Sequence, residues 1–97
     1  MGVILEALDG RKKSADFGGL IKMVSQNPRN ACGWMYLADK LRSRAARSNS
    51  HDSSEKWHRE AWDVCNRALK LNPNNGLLII YIESYKQFLD TSDYSIE

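Results

Sequence analysis

Between Glu55 and Pro73 the chain reads EKWHREAWDVCNRALKLNP, and no other stretch limits its fold so tightly. Trp57, Ala61, Val64, Cys65 and Ala68 are separated by four, three, one and three positions, so they line one side of a helix with 3.6 residues per turn. Two of the five are alanines, whose small side chains let a neighbouring helix come close, while Trp62 and Leu69 carry the apolar surface round one flank. Such a helix is packed from more than one direction. Asp52 with Glu55 three residues later has the form of a capping box, and Asn72-Pro73 ends the helix because proline cannot continue it.

The same spacing elsewhere predicts an all-α chain of four helices, at about 14–26, 31–46, 54–71 and 76–90. The first opens on Ser14 as N-cap, carries Phe17, Leu20, Ile21 and Val24 on one face, and stops before Asn27-Pro28. Gly18-Gly19 weakens it, and is expected to mark a close helix contact. Asn30 caps the second, whose face is Ala31, Trp34, Leu37, Ala38, Leu41 and Ala45. Ser43 to Ser54, SRAARSNSHDSS, holds nothing apolar larger than alanine, and its later part, 47–53, reads as an exposed loop. The last helix follows Asn75-Gly76 with Leu78, Ile82, Tyr85 and Leu89 in register. Its LLIIYI run suits a strand by propensity, but no second strand exists to pair with it. VILEAL at 3–8, closed by Asp9-Gly10, reads as the end of an earlier helix, and 91–97 as frayed.

With 97 residues, 42% hydrophobic and 27% charged, the chain is a single globular domain whose small core leaves a narrow stability margin. The apolar run Val3 to Leu5 is broken by Glu6 and Asp9 and lacks a basic region before it, so it is neither a signal peptide nor a membrane anchor. An intracellular protein of cytoplasm or nucleus is expected. Cys32 and Cys65 lie in separate helical patterns and are expected to be two buried thiols; neither they nor His51 and His58 match a metal-ligand spacing, and no cofactor motif is present. Charge is unevenly spread. Residues 1–49 carry nine Lys or Arg against four acids, and residues 50–97 carry five against eight, an asymmetry that suits an acidic partner, nucleic acid or an adjoining subunit.

No catalytic constellation stands out, and the chain is read as a non-enzyme. There is no Gly-x-Ser-x-Gly elbow, and His58 with Glu55 or Glu60 is expected to belong to a solvated helix face. Trp34 and Trp57 fall on packing faces, with Trp62 left open. Lys40, Arg42, Arg44 and Arg47 place four positive charges in eight residues, a solvated face that can also meet phosphate groups.

Asn27-Pro28 and Asn72-Pro73 stand 45 residues apart, and each is followed two residues later by an Asn able to cap the next helix. Between them the chain reads A-x-x-W-x-x-L-A-x-x-L, a spacer, then A-x-x-x-C-x-x-A-L-x-L-N-P. On Trp34, Leu37, Ala38 and Leu41, then Ala61, Cys65, Ala68 and Pro73, this pattern resembles the tetratricopeptide repeat, with the half-repeat family of RNA-processing factors as a neighbour. The family's aromatics are replaced by Leu41 and Cys65, and the 11-residue excess over its 34-residue unit is most simply placed in the Ser43 to Ser54 loop. Leu20, Met23 and Pro28 resemble the end of an earlier repeat, and Ile79 with Ile82 the start of a later one.

The resemblance implies a right-handed solenoid fragment of antiparallel helix pairs, with a groove lined by the first helix of each repeat. Those positions here are Cys32, Met35, Tyr36, Asp39 and Arg42, continued by Leu77, Ile80, Tyr81, Ser84 and Gln87. The family's basic clamp for a C-terminal carboxylate is not matched, since Asp39 stands where asparagine is wanted and no lysine lines the groove. A helix or extended protein segment of mixed apolar character is the expected partner, with neighbouring helical repeats or a further copy as other partners and Leu77, Ile80 and Phe88 as surface for another helix to cover. An RNA-processing or RNA-decay subunit touching RNA through Lys40, Arg42, Arg44 and Arg47 is the alternative.

Overall fold

The structure, a computed structural model, describes residues 15–92 and Tyr94. They form four packed helices and no strand: α1 (Ala15–Gln26), α2 (Ala31–Ala46), α3 (His51–Leu71) and α4 (Gly76–Asp90). Ser14 and the 3–8 segment lie outside the described residues. α2 and α3 make the most extensive contact; α1 packs on α2, and α4 on both α2 and α3. The central pair is antiparallel, for Arg44 near the end of α2 sits over Trp57 near the start of α3, while Asn72 after α3 bonds the carbonyl of Pro28 before α2.

The two Asn-Pro corners work alike. Asn30 and Asn75 each adopt extended backbone and accept a hydrogen bond from the backbone N–H three residues on, Gly33 at 3.3 Å and Leu78 at 2.9 Å. Each side chain thereby satisfies one of the free donors of a helix start. The corners also meet: the Pro28 carbonyl accepts from Trp34 Nε1 at 2.9 Å and from Asn72 Nδ2 at 3.1 Å.

The third helix begins earlier than its sequence suggests. Ser50, not Asp52, is the N-cap, accepting from the Ser53 N–H at 3.1 Å, so the predicted loop over 47–53 shrinks and the extra length of the repeat goes into α3. Ser53 and Ser54 are helical, and Ser54 is buried, its hydroxyl 2.8 Å from that of Tyr94. A polar run stays helical here because its inward positions are small enough to lie against a neighbouring helix.

The core gathers Phe17, Ile21 and Val24 of α1, the predicted faces of α2 and α3, and Leu78, Ile82, Tyr85 and Leu89 of α4. Two expectations fail on it. Gly18 and Gly19 have nothing within 4 Å of where a Cβ would sit, so neither marks a close contact; Gly33 does, 3.1 Å from Cε of Met23. Gly19 faces solvent inside a helix, and Gly19→Ala should therefore raise stability by about 0.5–1 kcal/mol, read as a higher urea midpoint at unchanged slope. The second failure is Cys32, which is exposed, whereas Cys65 is buried as expected. Burial pushes the Cys65 thiol up to about 12, since a thiolate there would be poorly solvated. One equivalent of a thiol reagent should thus react promptly with the native chain, and the second only on unfolding.

Candidate functional site

Arg42 is the centre of the surface where α2, α3 and α4 converge. Its guanidinium lies 4.2 Å from the ring centre of Tyr85 and 5.6 Å from those of Tyr81 and Phe88. Tyr81, Tyr85 and Phe88 are spaced by four and three, so α4 presents them as one wall. Three ring faces hold the cation by their quadrupoles. The wall is pinned to α2 by hydrogen bonds, with Tyr81 Oη donating to Asp39 Oδ1 at 2.7 Å and accepting from Arg42 Nη1 at 3.4 Å.

Behind this wall stands His58. It is buried, correcting its expected place on a solvated face, as is Glu60. The Tyr85 hydroxyl lies 2.7 Å from His58 Nδ1 and 3.3 Å from the His58 carbonyl oxygen, so one phenol bridges the neutral ring and the backbone of α3. Burial first, and then the positive charge of Arg42, hold the imidazole below its ordinary value of 6.5 and favour that neutral form. The sequence carried a signal for it: His58 precedes Trp62 by four and Cys65 by seven, which puts it on the apolar flank of α3. Burial likewise raises the phenols of Tyr81 and Tyr85, which stay protonated.

Asp39, Arg42, Ser43 and Ala46 of α2, His58 of α3, Phe88 of α4 and Tyr94 beyond it line an open cleft of about 590 Å³. Tyr94 was expected in a frayed end, but it is half-buried, its hydroxyl 2.8 Å from Ser54 Oγ. Nothing in its local pattern places it there, because the contact is made across 40 residues.

Of the expected partner-facing residues, Asp39, Arg42 and Tyr81 are brought together by direct bonds. α2 and α4 run parallel through these contacts, so Tyr36 and Leu77, each about one turn earlier, flank the same surface at its other end. Leu77 and Ile80 are 67% and 62% exposed, and Tyr36 and Phe88 are 52% and 43%, which makes a run of solvent-facing apolar groups beside the polar trio. Ser84, Gln87 and Cys32 are exposed, and Met35 is half-buried.

The four-cation stripe does not hold as one surface. Lys40, Arg44 and Arg47 recur at intervals of four and three and share a side of α2, while Arg42 points to the opposite side into the aromatic wall. Lys40 lies over the Tyr36 ring at 5.4 Å and Arg44 over Trp57 at 5.2 Å; Trp57, half-buried, stacks in turn on Phe17. Among the described residues no group of His, Cys, Asp and Glu is placed to hold a metal ion, and no helix is long and apolar enough to cross a membrane. No family model, curated protein or solved structure matches the chain.

Proposed function

We propose that this chain is a non-enzymatic, tetratricopeptide-like interaction module of an intracellular assembly, with the side shared by α2 and α4 receiving a protein segment. The observation that carries the reading is the exposure of Leu77 and Ile80 next to the bonded Asp39–Tyr81–Arg42 trio. Large apolar side chains held in water beside fixed polar groups form the kind of surface that a partner covers. Further support comes from the helix order: an antiparallel pair flanked by α1 on one side and α4 on the other suits a unit stacked between neighbours. The partner segment matched to this surface is a helix or extended stretch presenting apolar residues at one end and a polar group toward Arg42 and Asp39.

A second reading, contact with RNA, is favoured by one feature only: Lys40, Arg44 and Arg47 share a side of α2 with an aromatic residue beside each of the first two. The two readings separate in one experiment on partner capture from extracts of the native cell. Leu77→Glu with Ile80→Glu should abolish capture of a protein partner, because both charges fall on surface that binding buries. Arg44→Glu with Arg47→Glu should leave that capture nearly intact and remove any retention of RNA that falls with rising salt. Capture that survives the first pair and fails with the second overturns the protein-binding reading and promotes the basic side.

A further inference from the structure

Beyond α4 the chain passes through Thr91 and Ser92, and Tyr94 turns back onto the first turns of α3. Its ring lies parallel to that of His51, with 4.8 Å between centroids and 8° between planes, and tilts against His58 at 4.7 Å. Its hydroxyl is 2.8 Å from Oγ of Ser54, a serine that is itself buried. His51, Ser54 and His58 stand at intervals of three and four, so one side of α3 offers two imidazole rings with a hydroxyl between them. We infer that this slot is a binding site for a tyrosyl side chain, kept filled in cis by Tyr94 and open to a tyrosine supplied in trans when Tyr94 is withdrawn.

The chemistry of the slot selects for a phenol. Flat rings on two sides favour an aromatic group, and the Ser54 hydroxyl is a hydrogen-bonding group that phenylalanine or leucine would leave without its partner. At 2.8 Å the two oxygens are in direct contact, so a phosphate on the phenol oxygen would have to displace Ser54 Oγ and should weaken binding. Occupancy in cis comes from proximity: Tyr94 lies four residues past Asp90, the end of α4, and the backbone link to this turn is a 3.4 Å bond from its N–H to Ser92 Oγ. The same ring forms part of the cleft beside Arg42, so withdrawing Tyr94 widens the space next to the aromatic wall.

The test is a titration of Tyr94→Ala with N-acetyl-tyrosinamide, followed by NMR at the ring protons of His51 and His58. Saturable shifts in the millimolar range are expected, as suits a ligand of this size. The unaltered chain, its slot already filled, should require at least about tenfold more probe. N-acetyl-phenylalaninamide should bind less well, a difference that Ser54→Ala in the Tyr94→Ala background removes, and the phosphotyrosine analogue should bind less well than the tyrosine probe. In the unaltered chain the His51 ring protons should already be displaced by the ring current of Tyr94. Absence of that displacement overturns the proposal without recourse to any variant. So do equal titration of the two chains, equal binding of the phenylalanine probe, or no binding by Tyr94→Ala.

Discussion

Tyr85→Ala should leave the chain close to unfolding, with a loss of about 3–5 kcal/mol set by removal of a fully buried ring. A domain of this length has about 5–15 kcal/mol in total, so that loss takes a large share of it. The ring is also the meeting point of three elements: Arg42 of α2 lies on its face, Trp62 of α3 approaches it edge-on at 5.8 Å, and His58 bonds its hydroxyl. Tyr85→Phe separates these contributions. It keeps the ring for Arg42 and Trp62 and gives up only the two contacts of the hydroxyl with His58, which costs about 1–3 kcal/mol because a buried ring nitrogen loses its partner. Urea unfolding of both variants reads the difference, and a Tyr85→Ala chain with the parent's midpoint would remove Tyr85 from the centre of the fold.

Ala68→Leu should cost about 1–3 kcal/mol by overpacking, since Ala68 is fully buried on the inner side of α3. Three added heavy atoms cannot be fitted there without separating α3 from α2, the most extensive helix contact among the described residues. Lys70→Leu, on the exposed side of the same helix, is the matched control and should change little. Thermal melting distinguishes them, and an Ala68→Leu chain that melts with the parent would mean that the alanines of α3 are not its contact surface.

Much of the fold was legible because its signals are local. Asn30, Asn75 and the two Asn-Pro corners mark helix boundaries through bonds spanning three residues, and the apolar periodicities of α2, α3 and α4 needed nothing beyond the helical repeat. The start of α3 was misplaced because SNSHDSSE offers several residues able to cap, and the one used, Ser50, begins the helix four residues before the buried Ser54. Asp39, Arg42 and Tyr81 of the candidate site were named through the resemblance to the tetratricopeptide repeat and not through periodicity. The aromatic wall around Arg42 was not legible, because a guanidinium on a stem of three methylenes can reach either side of its helix, and which side wins depends on rings 39 to 46 residues away. The difference between the cysteines was legible in the helical register, since Cys65 falls on the apolar face of α3 whereas Cys32 lies off the face of α2 set by Ala31, Trp34, Leu37, Ala38 and Leu41.

The joined corners at Pro28 and Asn72 bear on the order in which the chain folds. Their bond closes a loop of 44 residues, whereas the contacts that build each helix and its caps span three or four. Closing a long loop from an open chain is costly in entropy, but once α2 and α3 have zipped together from their short connection the two corners are already adjacent. The bond is therefore made late, as a clasp on a finished hairpin, and its loss should speed unfolding far more than it slows folding.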